Sequence, residues 1–186
     1  KELPRLAVEH FHDTLLSVMK EAESLGYEGR FEWLTPVIKK SFNLPFMASR
    51  STGRYWKKAS NGEHQALVDA FTNMTIANYA SRFDGYSGEI FEMVEVTEGP
   101  RDSILVKTKI VKDDGEKVAL NYVMRESDGQ WQVIDIFLKG TFSELATRKS
   151  EYSSLIRDGG FPELIISMKE KTEKIRTKSQ APDDAP

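Results

Sequence analysis

The stretch 104-ILVKTKIVKDDGEKVALNYVM-124 decides the fold. Apolar and polar residues alternate on both sides of Asp113-Asp114-Gly115, the period of a half-buried strand that turns back on itself. Two turns fit these residues. A two-residue loop sets Lys107 and Lys109 beside Leu120 and Tyr122. A three-residue loop, with Gly115 in the left-handed region, aligns Ile104, Val106, Thr108 and Ile110 with Val118, Leu120, Tyr122 and Met124 on one face. The second is adopted, because a slip of one residue would send the whole apolar set to the wrong side.

Outward from this hairpin, further strands are predicted at 89–97 and 131–139, beyond Gly99-Pro100 and Ser127-Asp128-Gly129. The same three-residue loop at 127–129 adds Ile134, Ile136 and Leu138 to the first face and leaves Trp131, Val133, Asp135 and Phe137 on the other. A four-stranded antiparallel meander that is apolar on both sides must be covered twice or curl around something. Helices on either side in the sequence can cover it. Leu6, Phe11, Leu15, Val18, Met19 and Ala22 keep helical spacing up to Gly26, and Phe31, Leu34, Val37, Ile38 and Phe42 continue in a helix interrupted near Pro36. Ser60-Asn-Gly-Glu63 is a capping box that opens a helix from about Asn61 to Phe83. Thr141-Phe-Ser-Glu144 repeats the box and starts a helix through Leu145, Tyr152 and Ile156 that stops at Gly159-Gly160; a last helix follows Pro162. The predicted class is α+β, with one domain at 1–176 and an aperiodic, disordered tail at 177–186.

Composition bounds the function. With 26 basic and 29 acidic residues the net charge is -3, so the whole-molecule field does not draw polyanions and nucleic acid is not an expected partner. The absence of cysteine removes disulfides, thiolate metal sites and thiol nucleophiles together. No apolar run approaches the roughly 20 residues that span a bilayer. His10 and His12 point to different sides of a helix and His64 has no neighbouring ligand, so no metal is expected. No glycine-rich phosphate loop and no GxSxG elbow occur, so no cofactor and no catalytic residue are predicted.

Two constellations remain. Phe71, Met74, Phe91, Met93, Val106, Leu120, Tyr122, Met124, Ile134, Ile136, Phe142, Leu145 and Tyr152 form a pool that serves either as ordinary core or, as a set, as the wall of a wide apolar pocket. Asp135 stands in an otherwise apolar strand, where an unpaired carboxylate is costly. It is either a general base in a cone-shaped pocket or a structural clasp to Arg148 on the following helix, and the clasp is favoured because a paired carboxylate is a poor base at neutral pH.

From Phe42-Asn-Leu-Pro-Phe-Met-Ala48 through Tyr55-Trp56, Tyr79-Ala80 and the segment Trp131–Gly160, the chain resembles the MlaC-type, or toluene-tolerance, family of periplasmic lipid carriers. Gly140–Tyr152 with Val118–Arg125 looks most like its hopanoid-associated HpnM branch, although Ile134 stands where WxxYD members carry tyrosine. The resemblance implies helices wrapped on a curved sheet, distantly like nuclear transport factor 2, with the tails of a phospholipid or hopanoid inside and the head at the mouth. It implies a periplasmic shuttle that lost a signal peptide ahead of Lys1, touches membranes without spanning them, and works between an inner-membrane ABC transporter complex and an outer-membrane lipoprotein complex. Two other classes stay open: a small-molecule enzyme on a ketosteroid-isomerase-like cone, and a structural adaptor with a filled core.

Overall fold

A computed structural model describes residues 1–180. Five antiparallel strands run in sheet order β1 to β5: Ile90–Glu98, Ile104–Val111, Lys117–Ser127, Gln130–Leu138 and the short Phe142–Ser143. The central hairpin has the predicted register, with Ile104, Val106, Thr108 and Ile110 opposite Met124, Tyr122, Leu120 and Val118. The Lys112 and Glu116 backbones close a three-residue loop in which Gly115 sits at φ 84, a region where a side chain would be strained.

The next hairpin departs from expectation. Ser127 pairs with Gln130, so Asp128-Gly129 is a two-residue loop with both φ values positive, at 51 and 75. That would send Ile136 to the wrong face, and a bulge at Ile134 restores the phase. Val133 and Ile136 therefore look into the core, whereas Ile134, Asp135 and Phe137 line the opposite side. The predicted grouping of Val133 with Asp135 and of Ile134 with Ile136 is thus reversed at this point.

The helices are α1 (Glu2–Lys20), α2 (Ala22–Ser41), α3 (Leu44–Thr52), α4 (Asn61–Arg82) and α5 (Glu144–Gln180), with a 3-10 turn at Gly53–Lys58. Helix α4 starts from the predicted capping box, with Ser60 Oγ accepting from the Glu63 amide while the Glu63 carboxylate accepts from the Ser60 amide at 2.8 Å. Helix α2 does not break at Pro36. That residue and Glu32, whose carbonyl it frees, are both exposed, so water replaces the missing bond; the kink falls at Gly26 instead. The kink is secured by the buried Arg30, whose Nε donates to the Ala80 carbonyl at 2.8 Å and whose Nη1 donates to the Ala22 carbonyl at 2.8 Å. Those carbonyls belong to the last turn of α4 and to the interrupted turn of α2, so one guanidinium satisfies two orphaned acceptors. Helix α5 breaks at Gly160 (φ 73), as predicted, and resumes at Pro162. It then runs to Gln180, so 177–180 is helix, not disordered tail; 181–186 lie outside the described residues.

Helices α1, α2 and α4 bury the inner sheet face, where Val106, Tyr122, Met124, Val133 and Ile136 are each at most 2% exposed. The outer face is covered over β3 and β4 alone, by α3, the 3-10 turn and the start of α5, while over β1 and β2 it meets water through Lys107–Glu95 and Lys109–Glu92 ion pairs. The far edge of β4 is sealed by β5 and by Asn43, whose amide donates to the Val133 carbonyl at 2.9 Å. No described helix is long and apolar enough to cross a membrane.

Candidate functional site

The inner face is filled unevenly. At one end, Phe11, Phe91 and His12 pack round Tyr122, with His12 stacked on Phe91 at 4.1 Å and its Nε2 at 2.9 Å from the Tyr122 hydroxyl. Burial lowers the His12 pKa to about 3 and raises that of Tyr122, so both stay neutral and share one hydrogen bond in a dry core. At the other end Ile110, Val118, Ala119 and Leu120 leave a space beneath the last turns of α4.

The gap is an apolar cavity of about 330 Å³ between the strands and α4. Phe42, Met47, Tyr79 and Phe83 form its helical wall, with Tyr79 and Phe83 stacked at 5.5 Å. Ile136 and Leu138 close it from β4. The lining is not wholly apolar: Arg82 and Lys139 reach it from the exposed side, and Asn78, Glu144 and Arg148 from more buried positions. Burial opposes the charge on Arg148, yet the adjoining Glu144 carboxylate, which accepts a hydrogen bond from the guanidinium, outweighs that cost and Arg148 remains a cation. Burial pushes the Tyr79 phenol well up, so it stays protonated and can donate but not act as a base. The arrangement can enclose an apolar chain beside side chains of net positive charge.

Of the residue pool singled out in the sequence, Leu120 and Ile136 line this cavity. Phe71, Val106 and Tyr122 are closed core, Met74 is covered by the Tyr152 hydroxyl, 4.0 Å from its sulfur, and Tyr152 is itself buried. Burial raises the Tyr152 pKa to about 12, so it too is neutral. Met124 borders a small hollow beside Trp131, Phe91 stacks on His12, and Met93 meets the start of α1. Phe142 is 65% exposed, and Ile134 and Leu145 line the outer cleft. Tyr79 and Phe83 lie on the predicted Asn61–Phe83 helix, and Phe42 and Met47 fall in the Phe42–Ala48 segment that carries the family resemblance; nothing in sequence marks Arg82 or Lys139, which reach the cavity from separate elements.

The Asp135–Arg148 clasp does not form. Asp135 accepts from Ser143 Oγ at 2.6 Å, from the Ile136 amide at 2.8 Å and from the Leu145 amide at 3.2 Å, while Arg148 pairs with Glu144 and lies over the Phe71 ring at 5.1 Å. The bulge at Ile134 turns Asp135 to the outer side, where its carboxylate meets the positive N-terminus of α5. The N-cap there is Ser143, which accepts from the Ala146 amide at 3.0 Å, and not the predicted Thr141.

The profile of the MlaC protein family matches residues 9–170. The chain belongs to the MlaC family. Among solved structures, a phospholipid-binding protein from Ralstonia solanacearum, determined in complex with a phospholipid, superposes with a TM-score of 0.80 at 21% identity. The match covers 91% of this chain and 97% of that one, so this MlaC-family chain has the same α+β fold over the matched residues.

Proposed function

We propose that this MlaC-family protein is a periplasmic carrier that holds a phospholipid, with acyl chain in the cavity between α4 and the sheet and phosphate at the mouth near Arg82 and Lys139. The observation that carries this reading is the make-up of the cavity: an apolar interior whose exposed lining residues include the cations Arg82 and Lys139, with the Arg148–Glu144 pair farther inside. The family and the lipid-bound Ralstonia relative support it. Catalysis is the weaker reading, since Glu144, the carboxylate at the cavity, is tied to Arg148, and Asp135 is saturated by three donors on the other side of the sheet. A hopanoid is the alternative cargo, and its rigid polycyclic skeleton would have to enter the cavity of about 330 Å³ as one body. The carrier would collect and deliver its lipid at an inner-membrane ABC transporter complex and an outer-membrane lipoprotein complex.

Size sets the affinity. At about 30 Å³ per water-sized group, 330 Å³ takes about eleven such groups. At ~0.8 kcal/mol per methylene that is about 9 kcal/mol of transfer energy, against an association cost of 4 kcal/mol or more. One partial chain fits the closed form, and two full chains require the sheet to move away from α4. Extraction of lipid from protein purified out of membrane-containing cells, followed by mass spectrometry, is expected to return phospholipid. Recovery of hopanoid would reassign the ligand, and protein with no lipid that also takes up none when offered vesicles would overturn the carrier reading.

A further inference from the structure

The outer side of β3 and β4 carries a second concavity, of about 720 Å³, walled by α3, the 3-10 turn and the start of α5. Its rim holds Arg50, Arg54, Lys57, Arg101, Arg125 and Lys149. None of the six is in an ion pair among the described residues. Asp135 is the carboxylate within the lining, and its oxygens are already occupied by Ser143 and by two backbone amides. We propose that this cleft is a docking site for an acidic segment of a partner protein that also inserts an apolar side chain.

The charge is placed, not incidental. The chain as a whole carries -3, and on the open part of the same sheet face Lys107 and Lys109 each have a cross-strand glutamate. Such partners are missing at the cleft, where six cations in one concavity repel one another and gain most from a counter-charge supplied from outside. Four of the six are arginines, whose planar forks suit carboxylates. Two are held in position: Arg125 and Arg50 both lie over the Phe46 ring, at 5.1 and 5.7 Å, and Arg125 Nη2 donates to the Arg101 carbonyl at 3.0 Å. At the opposite wall Gly53 opens the 3-10 turn at φ 56, a conformation that favours glycine, and brings that turn against the mobile end of the Lys149 side chain.

The depth of the cleft favours a peptide over a bilayer. Beneath the rim lie Val123 and Ile134, at 7% and 6% exposure, with Phe137 and Leu145 beside them. A flat membrane surface meets the rim and leaves that floor unused, whereas a segment with an apolar residue between acidic ones reaches both. Strands β3 and β4, with α3 and the start of α5, lie between this cleft and the lipid cavity, so peptide binding can be measured on the lipid-free protein, apart from lipid carriage.

The test is fluorescence anisotropy with a labelled synthetic peptide rich in Glu and Asp around a Leu-Phe pair, titrated with the full chain. Expected is saturable binding that weakens about tenfold or more as salt rises from low to physiological strength and above. It should also weaken about tenfold in Arg50→Gln/Lys149→Gln, whose side chains are exposed, and stay unchanged in Lys107→Gln/Lys109→Gln. In the wild type, the peptide should shift the methyl resonances of Val123 and Ile134 and not those of Leu120 and Ile136. The proposal is overturned by no binding, by equal binding of the same peptide with Gln and Asn in place of its acids, or by equal loss in both double variants. It is also overturned if anionic phosphatidylglycerol vesicles, or inorganic phosphate alone, occupy the cleft while the peptide does not. Lipid content measured alongside should be the same in every variant.

Discussion

Asp135 shows how a single carboxylate can hold an element without an ion pair. It accepts from two amides and one hydroxyl, and through them fixes the β4 bulge, β5 and the first turn of α5. Asp135→Ala strands these donors in a half-buried place and should cost about 2–3 kcal/mol in denaturant unfolding. A double-mutant cycle should find Asp135→Ala additive with Arg148→Met but coupled to Ser143→Ala by 0.5 kcal/mol or more; the opposite pattern would restore the clasp. His12 gives the pH counterpart. Its pKa falls from 6.5 to about 3 on folding, so its contribution is complete above about pH 6.5 and is lost as pH falls from there toward 3. At pH 5 the loss is about 2 kcal/mol, and urea titrations at pH 7 and 5 on the wild type and His12→Gln should show the variant losing less.

At the scale of elements, Arg30 is the exposed weakness of a buried group. Arg30→Met keeps the stem but frees the Ala22 and Ala80 carbonyls, and a loss of about 2–4 kcal/mol is expected, read as a lower urea midpoint at unchanged slope. Which elements could be read in advance follows from how many phases the sequence fixes. In the Asp113–Gly115 hairpin both strands alternate clearly, so one loop length satisfies them. At Asp128-Gly129 the dipeptide suits a two-residue or a three-residue turn, and 133–138 is apolar except at Asp135, so neither the turn nor the bulge that corrects it leaves a trace in the pattern. The cavity was hidden for a related reason. The apolar positions Leu67, Phe71, Met74, Tyr79 and Phe83 run the length of α4, and which end of them stays unfilled is decided by Phe11, His12 and Phe91, bulky residues from α1 and β1 that plug the other end.

For the whole molecule, position relative to the cavity separates two substitutions that look alike in sequence. Leu120→Trp fills cavity space and should lower lipid loading at near-normal stability, whereas Val106→Trp overpacks a closed core and should cost about 1–3 kcal/mol with no direct effect on loading. Native mass spectrometry beside urea unfolding distinguishes the two outcomes. A larger consequence follows from the thinness of the wall between cavity and cleft. Leu120 and Ile136 face one and Val123, Ile134 and Phe137 face the other, all on two adjacent strands with no second layer between them. Those strands are one mechanical part with two faces. Were a two-chain lipid to push them off α4, the cleft behind them would change shape too, and a segment seated there would oppose or favour that movement. Thermodynamic reciprocity would then make the two effects equal: whatever factor cargo imposed on docking, docking would impose on cargo, from the side of the sheet that never touches the lipid.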